Sequence, residues 1–131
     1  MSQEKIAVVR SFFDAYLAGD PSRAERFMDP RFEFLPSSES HIAAPVQGRT
    51  EFNRVLADMM NQFESYEVVP DKIIDAGDDR VVVAHHRTAK SHGVQVEDRI
   101  AQVITVRGGR ISRIASFRSL AEALEAAGLS E

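Results

Sequence analysis

Apolar residues recur with two periods along this chain, and the change of period divides it. Ile6, Val9, Phe13, Tyr16 and Leu17 follow helical spacing, which predicts an amphipathic helix over residues 3–18. Gly19 ends it, and Asp20-Pro21 restarts a short helix with Asp20 as N-cap and proline in the first helical position. RFEFL, residues 31–35, alternates like a brief strand. The segment PSSESHIAAPVQ that follows is too irregular for an element, and a connection of this length suits a lid or pocket rim. After Gly48 the helical period returns in Phe52, Val55, Leu56, Met59 and Phe63. Tyr66 to Asp75 reads as a strand that must tolerate Pro70, which places it at an edge or a bend. RVVVAHHRTAK and VQVEDRIAQVITV flank His92-Gly93, and Arg107-Gly108-Gly109-Arg110 leads into ISRIASFR. These are three more strands joined by glycine turns. Ser119 and Glu122 form a capping box for a closing helix that Gly128 stops.

Helices followed by a four-stranded antiparallel meander describe an α+β domain whose curved sheet wraps the helices. Both strand faces are apolar: Val81, Val83, Ile100 and Ile104 on one, Val82, Ala84, Ala101 and Val103 on the other. An antiparallel sheet with one wet face alternates more cleanly. One face is therefore expected on the helices and the other beneath a second subunit. A length of 131 residues suits a single domain over 1–131, with 44% hydrophobic and 27% charged residues. The net charge of −4 and the lack of a basic run argue against nucleic acid as a partner. With no cysteine there is no disulfide framework, thiol nucleophile or thiolate metal site. The N-terminus lacks the apolar core of a signal peptide and no run approaches a membrane span, so no membrane partner and a cytoplasmic location are expected.

Polar residues interrupt the last strands, and pairing them shows which share a face. A two-residue turn at His92-Gly93 sets Arg87 opposite Asp98, His85 opposite Ile100 and Val83 opposite Gln102. The next turn leaves two registers open. A three-residue loop with a bulge at Gly109 puts Arg118 opposite Asp98, Ser116 opposite Ile100 and Ile114 opposite Gln102. A two-residue Gly-Gly turn shifts the register by one and turns Arg118 to the other face. In the first register Asp98 sits between two arginines, with His85, Gln102 and Ser116 beside it. Such a cluster is either an ion-pair network or a pocket acid held by cations, which would lower the Asp98 pKa. His85 belongs to the residue type that titrates near neutral pH, whereas His86 faces the other way, beside Arg99. No HxH or HExxH spacing joins His41, His85, His86 or His92 into a ligand pair, so no metal is expected. Tyr16 is the aromatic residue best suited to a polar role, since a buried phenol needs a partner.

FFDAYLAGD, MDPRFEF and VEDRIAQVITVRGGRISRIASFRSLAEALEAAGL together resemble the SnoaL-like branch of the nuclear transport factor 2-like superfamily. The resemblance spans nearly the whole chain. It implies a cone: a strongly curved antiparallel sheet around three N-terminal helices, a short C-terminal helix, and a pocket at one end. It also implies a homodimer. The superfamily includes polyketide cyclases, ketosteroid isomerases, limonene epoxide hydrolases and dehydratases, so fold does not decide function. The isomerases' oxyanion tyrosine, general base and second oxyanion acid fall at Phe12, near Phe34 and near Gln102, which argues against that activity. One aspartate of the epoxide hydrolases falls at Ser116. Cyclases of the SnoaL type use an acid helped by a histidine, and Asp98 and His85 are the matching residue types. The resulting expectation is a cofactor-free acid/base site for a small apolar or oxygenated molecule. Asp98 and His85 would move protons, Tyr16, Arg87, Gln102, Ser116 and Arg118 would orient the substrate, and Phe34, Met59 and Phe63 would line the pocket. A non-catalytic ligand-binding or dimeric assembly module is the alternative.

Overall fold

The computed structural model describes residues 2–38, 42 and 44–129. Its elements are α1 (Ser2–Leu17), α2 (Pro21–Glu25), β1 (Met28–Leu35), β2 (Val46–Gln47), α3 (Arg49–Met60), β3 (Ser65–Asp75), β4 (Arg80–Ser91), β5 (Val94–Arg107), β6 (Arg110–Phe117) and α4 (Leu120–Ala126). The strands form one six-stranded sheet in the order β2-β1-β6-β5-β4-β3. All neighbours are antiparallel except β1 and β6, which run parallel. The result is the expected α+β cone, with α1, α2 and α3 ahead of the meander and α4 at its end.

Local chemistry explains most boundaries. The Asp20 carboxylate accepts from the Arg23 backbone N–H at 3.1 Å, and Pro21 opens α2. Ser119 Oγ accepts from Glu122 N–H at 3.2 Å and starts α4. Pro70 satisfies both readings made from sequence. β3 is an edge strand, and its register against β4 jumps between Pro70 and Lys72, leaving Asp71 as an extra residue. His92 (φ 52°) and Gly93 (φ 79°) both take positive φ, as a two-residue type I′ hairpin turn requires. The ladder then pairs Arg87 with Asp98, His85 with Ile100 and Val83 with Gln102, as expected.

At the second turn neither register holds throughout. Gly108 and Gly109 form a two-residue turn closed by Arg107 and Arg110, but the register shifts again between Thr105 and Val106, where Ser112 is the extra residue on β6. The bulge cancels the one-residue shift and restores the original facing. Ser116 therefore lies opposite Gln102 rather than Ile100, and Ile114 opposite Ile104 rather than Gln102. Arg118 lies past the end of β6, so the expected Arg118–Asp98 pairing across the ladder does not form. Instead Arg118 Nη2 donates to Glu122 Oε2 at 3.1 Å on α4.

The inner face carries the main core: Phe12, Met28, Phe32, Val81, Val83, Ile104 and Ile111 are almost fully buried there against α1 and α3. The outer face holds a second cluster, in which Val82, Ala101 and Val103 pack under Ala123, Ala127, Leu120 and Leu124. The chain's own C-terminal helix thus covers apolar surface that sequence alone assigned to a second subunit. Farther along the same face the residues are charged, with Arg99 donating to Asp71 at 3.2 Å and His86 lying 3.8 Å from Glu97.

One buried cation ties the helical layer to the sheet. Lys5 Nζ donates to Asp75 Oδ1 at 2.6 Å and approaches the carbonyls of Gly77, Asp78 and Arg80 at 3.4, 3.2 and 3.3 Å. An ammonium has three donors, so these acceptors share them around the β3–β4 turn. Lys5→Met keeps the stem and strips the turn of its donors. It is expected to lower unfolding free energy by about 2 kcal/mol in urea titrations; an unchanged midpoint would show that water replaces the ammonium at no cost.

Candidate functional site

Between α1, α3 and the inner sheet face, packing leaves a partly open cavity of about 200 Å³. Its walls are mostly aromatic and aliphatic. Phe12, Phe13 and Tyr16 come from α1, Phe34 from β1, Phe52, Leu56 and Met59 from α3, and Ile100 and Ile114 from the sheet. Edge-to-face contacts fix the rings: Phe12 meets Phe13 and Tyr16 at centroid distances of 5.0 Å, and Phe32 meets Phe52 at 4.9 Å. Ser37 and Ile42 of the long loop after β1 also line the cavity.

Polar groups enter from the strands, and nearly all are bound to one another. Arg87 is 6% exposed and grips Asp98 bidentately, Nε to Oδ1 at 2.8 Å and Nη2 to Oδ2 at 2.6 Å. The guanidinium also interacts with the Tyr66 phenol, whose pKa is raised chiefly by burial. Gln102 takes a hydrogen bond from buried His85, with 2.8 Å between Nε2 and Oε1, and donates to Ser116 Oγ at 3.1 Å. With the amide so oriented, His85 carries its proton on Nε2, and its Nδ1 is buried without a partner among the described residues. Ser116 accepts from Gln102, which leaves its own O–H for a guest. On the opposite wall the Tyr16 O–H donates to Asn53 Oδ1, and Asn53 Nδ2 donates to Glu25 Oε2 at 3.0 Å. Burial, then the Glu25 charge, raise the Tyr16 pKa far enough to keep the phenol protonated.

The residues proposed from sequence divide among four places. Tyr16, Arg87, Gln102, Ser116, Phe34 and Met59 line the cavity. His85 lies behind its wall, with its ring 4.7 Å from that of Phe13 and no exposed surface. Asp98 lies beyond Arg87, in a separate groove of about 180 Å³ formed with Phe63, Ala89, Ser91, Val94 and Val96. Phe63 falls there because α3 ends at Met60, before the helical period would bring it to the cavity. Arg118 lines an open surface hollow beside α4. His41 lies outside the described residues, and among those described no group of three or more His, Asp or Glu could hold a metal ion. Sequence reading missed Tyr66, Ile100, Ile114 and Asn53. The first three have inward strand parity and could have been counted once the registers were known, whereas nothing local marks Asn53 as the partner of Tyr16.

With fold and site described, comparison with known proteins defines the class. The SnoaL-like domain family matches residues 9–114, and the chain belongs to it. No curated protein sequence matches the chain significantly. Solved structures share the fold at low identity. A provisional SnoaL-like polyketide cyclase from Jannaschia sp. CCS1 is 18% identical, with a TM-score of 0.74 over 98% of this chain and 94% of that one. TerC, co-crystallised with polyporic acid, is 18% identical, with a TM-score of 0.79 over 95% of this chain and 98% of that one. A protein of ketosteroid isomerase-like fold from Catenulispora acidiphila DSM 44928, in complex with trimethylamine, is 18% identical, with a TM-score of 0.72 over 93% and 92%. The fold is thus nuclear transport factor 2-like. No helix is long and apolar enough to cross a membrane among the described residues.

His85 departs most from its expected behaviour. Burial lowers its pKa from 6.5 to about 4, against a smaller opposing effect of the Gln102 hydrogen bond. It is therefore neutral at pH 7 and does not supply a neutral-pH titration. In the unfolded chain the ring regains its ordinary pKa, so between pH 6.5 and 4 the unfolded state binds the proton and the folded state does not. Stability is complete above this window and falls as pH drops through it, by about 3 kcal/mol in all. Urea unfolding at pH 7 and pH 4 should show this loss, and His85→Gln should shrink it. Equal pH slopes in the two proteins would refute the assignment.

Proposed function

We propose that this chain is a small-molecule pocket protein that binds a compact, mostly apolar molecule carrying at least one oxygen. The observation that carries the reading is an aromatic-lined cavity into which Arg87, Gln102 and Ser116 converge from three adjacent strands. Its volume of about 200 Å³ falls below the roughly 300–1,000 Å³ usual for drug-sized ligands, which favours one or two rings. Asp98 and His85 act in this reading as positioning residues: Asp98 orients Arg87, and His85 orients Gln102. Binding is favoured over turnover because, among the described residues, the sole carboxylate at the cavity is the exposed Glu67 at its mouth. Strand alternation sends that side chain away from Tyr66 and Val68, which face inward.

One observation favours a second reading, cofactor-free acid/base catalysis. The Tyr66 phenol, its pKa raised by burial, borders the same cavity as Arg87, and phenol and guanidinium donors stabilise an oxyanion developing on a carbonyl. This route still needs a base that the cavity interior lacks. Homodimerisation remains part of the proposal, supported by the apolar side chains of Val94 and Val96, 63% and 57% exposed. A cytoplasmic location is supported by the cysteine-free, acidic composition.

Titration with tetralin, a two-ring hydrocarbon, tests the pocket directly. Methyl resonances of Leu56, Ile100 and Ile114 should shift saturably while those of Val82 and Val103, under α4, stay fixed. Shifts confined to Val94 and Val96 would move the site to the groove beside Asp98 and sink the reading. Sedimentation at micromolar concentration checks the dimer, and a purely monomeric boundary would remove it. Product formation in a metabolite incubation would favour the enzyme over the binding module.

A further inference from the structure

We propose that the Arg87–Asp98 pair selects neutral oxygen acceptors, such as ketones, esters and quinones, and rejects carboxylates and other anions. This rests on the pocket reading above and names the ligand class of the same site. A buried arginine at a cavity wall ordinarily marks an anion site, because an unpaired guanidinium attracts a carboxylate strongly. Here its charge is already matched. Asp98 occupies Nε and Nη2 from the side away from the cavity, and the paired carboxylate lies in the neighbouring groove. A guest anion would meet a cation whose field is cancelled by a carboxylate just behind it. Together they would form an arginine with two carboxylates, a net negative cluster in partly desolvated surroundings.

A neutral carbonyl meets no such penalty. The guanidinium has five N–H donors, more than Asp98 and Tyr66 together use, and a carbonyl oxygen can accept without bringing a charge that needs balancing. The other inward donors repeat this preference, since Gln102 and Ser116 are uncharged. Among the described residues no second cation lines the cavity. The interior is thus polar at one spot and neutral in sum. Asp98 is accordingly a specificity-determining residue that acts through Arg87.

Three probes of similar size separate the terms: tetralin without oxygen, 1-tetralone with a neutral acceptor, and 1-naphthoate with a carboxylate. For the wild-type chain at pH 7, 1-tetralone should bind about tenfold more tightly than tetralin, and 1-naphthoate more weakly than either. Asp98→Asn keeps the shape of the partner but removes its charge. It should raise 1-naphthoate affinity by about tenfold and leave tetralin unchanged. Arg87→Met should erase the advantage of 1-tetralone over tetralin. If wild type binds 1-naphthoate as tightly as 1-tetralone, or Asp98→Asn gains no carboxylate affinity, charge compensation is overturned while tetralin binding keeps the pocket reading. Failure of all three probes to bind would overturn both.

Discussion

The register of β4 against β5 is the constraint from which the rest of the molecule follows. Side chains alternate strictly along a strand, so a slip of one residue would exchange Val83, His85 and Arg87 for Val82, Ala84 and His86 on the helical side. The two-residue turn prevents this. His92 and Gly93 both sit at positive φ, and their twist matches that of the long strands they join. From there twelve pairs run without interruption, from Ser91 and Val94 to Arg80 and Thr105. α1 and α3 then have one face to pack on, and α4 the other.

Placing polar side chains on that inner face creates an obligation, because a buried polar group without a partner costs more than a made hydrogen bond returns. The chain meets it in small closed sets: Arg87 with Asp98, His85 with Gln102 and Ser116, Tyr16 with Asn53 and Glu25. Each set crosses between elements, so it fixes the position of the cavity walls as well as their polarity. The imperfection among the described residues is His85 Nδ1, a buried acceptor that none of them satisfies. The rest of the cavity wall is mostly aromatic and aliphatic, and Phe12 and Phe34 stand where the resemblance to the isomerases implied an oxyanion tyrosine and a general base. Shared architecture therefore brings this chain a pocket but does not decide a reaction.

What could be read in the chain follows how locally each feature is encoded. The α2 cap at Asp20, the α4 cap at Ser119 and the strain at Pro70 are written within a few residues of the structure they produce, and all were legible. The two-residue strand β2 carries too few residues to show a period, and its pairing with β1 depends on a partner earlier in the chain. The bulge at Ser112 left no signal because serine suits a strand or a bulge equally. That single extra residue decides where Ser116 and Arg118 lie.

Sequence by itself determined the elements other than β2, the SnoaL-like family and the facing of His85, Arg87, Asp98 and Gln102, since hydrophobic period and turn chemistry act between neighbours in the chain. Tertiary structure alone decided what those facings mean. It buried His85 against Phe13 and lowered its pKa, put Asp98 behind Arg87 rather than in the cavity, sent Arg118 to Glu122, and laid α4 over a face that looked like an interface. Burial and charge depend on what packs across a face from distant parts of the chain, and strand alternation specifies only which face that is.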